Sequence, residues 1–299
     1  MLPGVAVNVA SIPQRSPFRY PGGKTWLVPQ VRAWLGSLAR RPRRLIEPFA
    51  GGGIVGLTAA FEALADSVVL VELDEDVAAV WQTILNGDAK WLAERIVRFE
   101  LTAESARREL ARRRTSTRQR AFRTLLKNRV HHGGIMARGS RMIRRGEAGK
   151  GVASRWYPET LKRRILCIDA IREKIEFVEA DGMKMIQQRA GDADCAFFID
   201  PPYTASGKKA GRRLYAHFEL DHARLFELAA ALRGDFLMTY DNSPGVLELA
   251  RRHGFDCEPV AMKNAHHAEL TELLIGRNLD WARRARAQRG QLPLGAALA

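Results

Sequence analysis

The chain has 299 residues, and with 46% hydrophobic residues it is long enough and apolar enough to bury an α/β core, which excludes a disordered chain. It contains no apolar run long enough to cross a bilayer, and residues 1–10 lack the charged start and apolar block of a secretory signal, so we expect a cytoplasmic protein. The formal net charge of +15 predicts a polyanionic partner.

The positive charge is concentrated in residues 91–176, which hold 23 Lys and Arg against 9 Asp and Glu. This segment therefore carries +14 of the net +15, and the rest of the chain is close to neutral. Most charge runs form a solvated face. A surplus confined to one segment instead favours a lobe that binds nucleic acid.

The elements before this segment follow the order of an α/β unit. The pattern predicts a strand at 45–46, a glycine-rich turn, a helix at about 54–65, a strand at 67–71 and a helix at 77–85. Strand-like segments return after the basic segment at 175–178, 195–199, 236–239 and 270–275, with a helix between the second and the third.

We therefore predict one α/β domain, formed by residues 12–90 and 177–278 and interrupted by a basic insert at 91–176. Residues 279–299 are predicted to be a mobile or helical basic extension, and we assign no chemistry to them.

A glycine motif follows the first predicted strand. Gly51, Gly53 and Gly56 have the spacing G-x-G-x-x-G, and Glu72 follows about twenty positions later, at the end of the second strand. Such glycines let the backbone approach a nucleoside, and the carboxylate can accept hydrogen bonds from ribose hydroxyls. At this point a NAD-dependent dehydrogenase remains an alternative, and so does a turn that serves only close helix packing.

The motif Asp200-Pro201-Pro202-Tyr203 comes directly after the apolar strand at 195–199. Two prolines end the strand and stiffen the backbone at the carboxyl edge of the sheet, where open α/β folds bind ligands. A rigid turn with a surface aspartate is the alternative. The glycine motif in the same chain favours a functional site.

These residue types suit methylation of an exocyclic amine. The lone pair of such an amine is delocalised into the ring, and acceptors for both N–H bonds, here Asp200 and the Pro201 carbonyl, would make the nitrogen reactive. A base from a duplex has to flip out to reach this pocket, and Tyr203 is the predicted stacking partner. None of the three cysteines follows a proline, which argues against the thiolate chemistry of cytosine C5 methylation.

Other segments give weaker signals. Residues 18–24 join aromatic, glycine and cationic groups, which could cover a sulfonium and meet a carboxylate, and the strand at 236–242 ends in a polar cluster. Asp181 could accept a hydrogen bond from an adenine or could equally cap a helix. The pairs His131-His132 and His266-His267 have no ligand partners at metal spacing, so we predict no metal.

Together these motifs resemble the Dam-like (D12 class) family of DNA adenine N6-methyltransferases, over roughly residues 16–276. The segments that carry the resemblance are Tyr20–Lys24, Glu47–Gly53, Asn128-Arg129, Asp200–Tyr203 with Tyr215 and Asp221-His222, and Tyr240–Asn242. The resemblance implies a Rossmann-like fold with a seven-stranded mixed sheet, an antiparallel strand at 270–275, S-adenosylmethionine as cofactor and double-stranded DNA as partner.

The resemblance also implies roles for individual residues. Methyl transfer would depend on Asp200, Pro201, Pro202 and Tyr203. The predicted cofactor residues are Tyr20, Gly22, Gly23, Lys24, Glu47, Phe49, Gly51, Gly53, Glu72 and Asp181. The pair Asn128-Arg129 carries the resemblance, and the concentration of charge in the basic segment predicts further DNA-binding residues. The predicted set is Asn128, Arg129, Arg138, Arg141, Arg144, Arg145 and Arg155.

Three alternatives to adenine methylation in duplex DNA stay open: methylation of cytosine N4, methylation of adenine in RNA, and an idle DNA-binding relative. A cognate restriction endonuclease is a candidate partner. The recognition segment departs from the family pattern at residues 151–156, so no target sequence is implied.

Overall fold

The computed structural model describes residues 11–19, 23–113, 116–136, 139–146, 149–202, 220–263 and 269–290. Its described part contains one seven-stranded sheet. The strands are β1 (Arg44–Glu47), β2 (Ser67–Glu72), β3 (Ile175–Glu179), β4 (Cys195–Ile199), β5 (Asp235–Asp241), β6 (Asp256–Lys263) and β7 (Glu269–Gly276).

The strand order across the sheet is β3-β2-β1-β4-β5-β7-β6. Strands β1 to β5 are parallel to one another, whereas β7 runs antiparallel between β5 and β6. The predicted seven-stranded mixed sheet and its antiparallel strand are therefore confirmed. The order reverses next to β1, and the carboxyl ends of β1 and β4 lie side by side at that switch point.

Eleven α-helices accompany these strands in the described residues. They are α1 (Val28–Ser37), α2 (Ile54–Phe61), α3 (Glu75–Leu85), α4 (Ala89–Val97), α5 (Ala103–Ala111), α6 (Thr117–Val130), α7 (Pro158–Asp169), α8 (Gly182–Gln188), α9 (His222–Ala231), α10 (Pro244–Arg252) and α11 (Asp280–Gly290). Several begin at a side-chain cap: the carboxylate of Asp74, for example, accepts hydrogen bonds from two backbone N–H groups of α3.

Helices cover both faces of the sheet. All five residues of β4 are buried, because this apolar strand lies at the centre with a layer of helices on each side. One apolar cluster joins the sheet to α1–α4, α6 and α7, and the other joins it to α8–α10.

The basic segment at 91–176 forms most of α4, all of α5–α7 and the first two residues of β3. Leu92, Phe122 and Ile165 from these helices belong to the same apolar cluster as Trp81 of α3. The segment thus packs onto one face of the fold and shares its core. The boundaries of a separate insert stay a prediction.

The basic C-terminal extension is helical over the part that the structure describes. Trp281 is buried, and α11 packs against α1. Arg283 forms an ion pair with Asp256 at 2.5 Å, and Arg286 pairs with Glu258 at 2.6 Å. The arginines of α11 thus hold it to strand β6.

Across the ranges of the chain described above, we find no helix that is both long and apolar enough to span a membrane.

Candidate active site

A cavity of about 510 Å³ opens at the carboxyl edge of the sheet. Glu47 ends β1, Glu72 ends β2, and Asp200 directly follows β4, so parallel strands bring three carboxyl groups to one edge. All three line the cavity, together with the glycine turn 51–53. Sequence positions far apart are thereby gathered into one site, as the motifs predict.

The glycine turn needs its glycines for backbone conformation. Gly51 has φ +48° and Gly53 has φ +61°, values that L residues with a side chain rarely adopt. A Cβ on Gly53 would also lie 3.0 Å from the Trp81 ring, whose Nε1 donates to the Gly51 carbonyl at 3.0 Å. The turn is thus fixed from below by α3 and presents bare backbone to the cavity.

Glu72 is held by backbone donors. One carboxylate oxygen accepts from Gly51 N at 3.0 Å, and the other accepts from Leu73 N and Asp74 N, each at 2.9 Å. Desolvation raises the pKa of Glu72 to about 7 although these N–H groups favour the charged form. Its side chain is therefore rigidly placed at the cavity wall, where the ribose partner is predicted.

Glu47 is 3% exposed and accepts a hydrogen bond from Gly56 N at 2.8 Å. Burial raises the pKa of this carboxyl to about 8, and the nearby Asp200 charge acts in the same direction. Glu47 ties β1 to the first turns of α2 and so supports the glycine turn from inside the fold.

Asp200 has two partners that fix one of its oxygens. Lys24 Nζ lies 3.0 Å from Oδ1, and the hydroxyl of Thr239 on β5 donates to the same oxygen at 2.7 Å. Lys24 is 3% exposed and also lies 3.4 Å from Glu272 Oε2 on β7. Lys24 is predicted to bind a carboxylate of the cofactor. In the structure its ammonium instead forms an ion pair with Asp200, the proposed catalytic residue.

Asp181 caps α8 and also lines the cavity. Its Oδ1 accepts from Met183 N at 2.7 Å and from Lys184 N at 3.1 Å, which is the helix-cap role that the sequence left open. Phe49 lines the cavity beside Gly182, where an added Cβ would lie 2.2 Å from the Pro48 carbonyl oxygen. Contact of Asp181 with a bound adenine stays a prediction.

The structure places the predicted DNA-binding residues in three different environments. Asn128 is 1% exposed, and its side chain bonds the backbone of Arg19 and of Gly134, so it serves the interior. Arg129 is also buried and, like Arg155, lines the cavity instead of an outer surface. Helix α6 packs into the core over its last turns, and this burial could not be read from charge.

Only part of the remaining set can be placed. Arg141, Arg144 and Arg145 are exposed, on a segment joined to the end of α6 by an antiparallel bridge between His131 and Met142. Outside the described residues lie Tyr20, Gly22, Arg138, Tyr203, Tyr215, His266 and His267.

Several residues at or beside the cavity have no assigned role in the sequence analysis. Glu272 is an acid in the middle of the largely apolar strand β7, a signal that could have pointed to a buried ion pair. Ser16 donates to the Gly52 carbonyl at 2.5 Å and thereby closes the glycine turn. Tyr157 and Arg164 line the cavity but belong to no motif, and Arg19 lines it from the segment 18–24.

The described residues of this site suit a nucleoside ligand better than a metal ion. Within the ranges given above, no group of three His, Cys, Asp or Glu side chains is arranged to hold a metal ion. The histidine at 131 bonds Ser140 Oγ at 2.7 Å, and burial lowers its pKa to about 4. A bare glycine turn, a fixed carboxylate at the end of β2 and an aromatic ring at 49 fit a nucleoside cofactor.

The strand order and the glycine-lined cavity at its switch point define a Rossmann-like α/β fold. Residues 20–258, most of the chain, match the family model of D12 class N6 adenine-specific DNA methyltransferases. The chain therefore belongs to that family, and the resemblance stated from its motifs is confirmed.

The chain also resembles a curated protein at low sequence identity. The chain is 28% identical over 259 residues to the DNA N-6-adenine-methyltransferase of Escherichia phage P1, covering 83% of this chain and 32% of that protein. It therefore spans about a third of the length of this curated relative.

Solved structures show only weak likeness. An rRNA methyltransferase of Streptomyces viridochromogenes is 16% identical, with 89% of each chain covered and a TM-score of 0.37. A precorrin-6y C5,15-methyltransferase of Geobacter metallireducens is 10% identical, with 83% and 85% covered and a TM-score of 0.34. The strand order and the site carry the structural assignment.

Proposed function

We propose that the protein methylates N6 of adenine in duplex DNA and receives the target base, turned out of the helix, in the cavity beside Asp200. The observation that carries this proposal is the Asp200 carboxylate, anchored by Lys24 and Thr239 at the end of the central strand and facing the glycine-lined cavity. An amine that enters the cavity meets a fixed acceptor.

The residues of the chain prepare the amine. Asp200 accepts one N–H of the target, and the Pro201 carbonyl accepts the other, which concentrates the lone pair on nitrogen. Lys24 and Thr239 fix the rotamer of Asp200, so little reorganisation is needed in the transition state. S-adenosylmethionine, when bound, supplies an electrophilic methyl group on a sulfonium. The nitrogen forms the new C–N bond as the C–S bond breaks, and one amine proton is released.

Base flipping follows from the position of the acceptor. Asp200 is only 21% exposed in its side chain and lies in a concave site, which a base stacked in a duplex cannot enter. Tyr203 is proposed to stack on the extruded base. The exposed Arg141, Arg144 and Arg145 are proposed to hold the flanking duplex through its phosphates and base edges.

The test compares Asp200→Ala with Asp194→Ala. The two residues flank β4 at opposite ends, and Asp194 is exposed and remote from the cavity. With labelled S-adenosylmethionine and plasmid DNA, wild type and Asp194→Ala should form N6-methyladenine without added metal. Asp200→Ala should lose roughly 100-fold or more in methyl transfer but keep cofactor and DNA affinity, because its loss affects the transition state.

Nucleoside analysis of the product decides between substrates. Label in 4-methylcytosine, or in RNA alone, contradicts the proposal. So does near-normal turnover of Asp200→Ala.

A further inference from the structure

Four arginines line the part of the cavity formed by the segment before α1 and by the basic helices. Arg19 lies in that segment, Arg129 on α6, Arg155 before α7 and Arg164 on α7. We call these four residues the arginine wall. The carboxyl groups Glu47, Glu72 and Asp200 line the same cavity from the strand ends of the sheet.

The arginine wall is anchored by backbone groups. An Arg129 guanidinium nitrogen donates to the Pro17 carbonyl at 2.5 Å, and one of Arg164 donates to the Ser16 carbonyl at 3.0 Å. Within the described parts of the chain, we find no ion pair between Arg19, Arg129 or Arg164 and a carboxylate. The neutral carbonyls of Pro17 and Ser16 orient Arg129 and Arg164 but supply no counter-charge.

Arg129 is the clearest example of a buried cation in this wall. It is 4% exposed, and its Nε is buried without a hydrogen-bond partner among the described residues. Desolvation, with Arg164 and Arg19 nearby, lowers the pKa of Arg129 to about 9, so the group still carries its charge at neutral pH. Buried cations without counter-charge destabilise a fold unless a ligand supplies the anion.

We propose that the arginine wall binds a backbone phosphate of the nucleic-acid strand that carries the target base. Guanidinium groups match phosphate oxygens in pairs, and several of them converging on one cavity suit a group that shares its charge among oxygens. Tyr157, 51% exposed and lining the same cavity, offers a ring against which the adjoining sugar or base can pack. This inference rests on the proposed function.

The phosphate would enter with the extruded nucleotide. The arginine wall attracts an anion to one side of the cavity, and Asp200 lies on the sheet side, so the strand is oriented with its phosphate toward α6 and α7 and its base toward Asp200. The carboxylate of the cofactor's amino acid has the same oxyanion chemistry. The test therefore measures cofactor and DNA binding separately.

The test variant is Arg164→Gln, and Arg163→Gln is its matched control, since Arg163 is the adjacent, exposed arginine of α7. For Arg164→Gln we expect roughly tenfold weaker binding to a duplex oligonucleotide and a salt slope lower by about one. Affinity for S-adenosylmethionine, measured by calorimetry, should be unchanged. Arg163→Gln should bind DNA nearly as wild type does.

Equal DNA affinity and salt slope for the two variants would overturn the proposal. A loss confined to cofactor binding also overturns it, because the wall would then serve the cofactor carboxylate. Arg19→Gln provides a second, partly exposed position if Arg164→Gln unfolds. If wild type binds DNA with the expected slope but transfers no methyl to it, the proposed function fails and the phosphate site stands.

Discussion

At the residue scale, Glu47 is a buried carboxyl group at the carboxyl edge of the sheet. Its folded-state pKa of about 8 lies above the ordinary value, because burial disfavours the charged form. Between about pH 4.5 and 8 the folded state therefore binds more protons than the unfolded state at this site. Glu47 lowers the stability of the fold progressively as pH rises through that window.

We predict that Glu47→Gln stabilises the protein at pH 9 by about 1 to 4 kcal/mol more than it does at pH 5. The amide oxygen can still accept from Gly56 N, so the support of the glycine turn is kept. Chemical denaturation at the two pH values measures the effect.

The matched control is Glu62→Gln. Its hydrogen bond with Arg32 and further pairing with Arg15 lower the pKa of Glu62, so its charge stabilises the fold above the unfolded-state pKa. This variant should lose stability at both pH 5 and pH 9. A pH-independent effect of Glu47→Gln would refute the assignment of a buried, pH-titrating carboxyl.

At the element scale, the end of α6 holds the segment that leads to the first helix. Asn128 bonds both the N–H and the carbonyl of Arg19, and its amide also donates to Gly134 at 2.9 Å. Gly134 has φ +73°, and an added Cβ would lie 2.2 Å from the Arg19 carbonyl oxygen. This close contact between the end of α6 and the segment before α1 places Arg19 and Arg129 at the cavity.

We predict that Gly134→Ala destabilises the protein by about 1 kcal/mol or more beyond the cost of Gly139→Ala. Gly139 also has a positive φ, +83°, but an added Cβ there meets nothing within 4 Å. The difference between the two variants in thermal unfolding therefore isolates the close approach from the backbone strain. Equal losses of stability in the two variants would show that the backbone of Gly134 does not lie close to that of Arg19.

The elements that could be predicted are those whose own residues determine them. The strand at 195–199 is an apolar run stopped by Pro201 and Pro202, and its predicted bounds agree with the structure. Strand β6 escaped prediction because it is a half-buried edge strand that carries charges and Pro259. The partners of Asp200 escaped it as well, since Lys24 and Glu272 become neighbours only through the sheet order.

Arg129 of α6 shows a second reason why the sequence could not predict the whole site. Charge in the sequence predicts that a residue is solvated, but Arg129 follows Leu125 and Leu126 on a helix whose last turns enter the core. The direction of a side chain depends on packing between elements, which composition does not record.

At the scale of the whole molecule, arginines differ in whether a carboxylate of the protein compensates their charge. Arg283 and Arg286 of α11 pair with Asp256 and Glu258 of β6. Arg141, Arg144 and Arg145 are exposed beside the end of α6. We therefore expect the external partner to meet these three arginines.

We predict that replacing Arg141, Arg144 and Arg145 together by Gln weakens binding to all duplexes and lowers the salt slope by up to about three, one for each lost phosphate contact. Cofactor affinity should stay the same. As a control, Arg251→Gln with Arg252→Gln removes exposed charge that is already paired with Glu248 on α10. If both variants bind DNA as wild type does, the charge of the basic segment is only a solvated face.

The ion pair between Lys24 and Glu272 has a consequence for folding during translation. The ammonium lies in the first part of the chain and Glu272 lies on β7, which is the middle of three neighbouring strands and is made after both of the others. A ribosome releases the glycine turn, the Asp200 loop and the basic helices long before β7. During translation, therefore, Asp200 and Lys24 exist for some time without the strand that completes their surroundings. This edge of the cavity should reach its final arrangement late, when β7 inserts between β5 and β6.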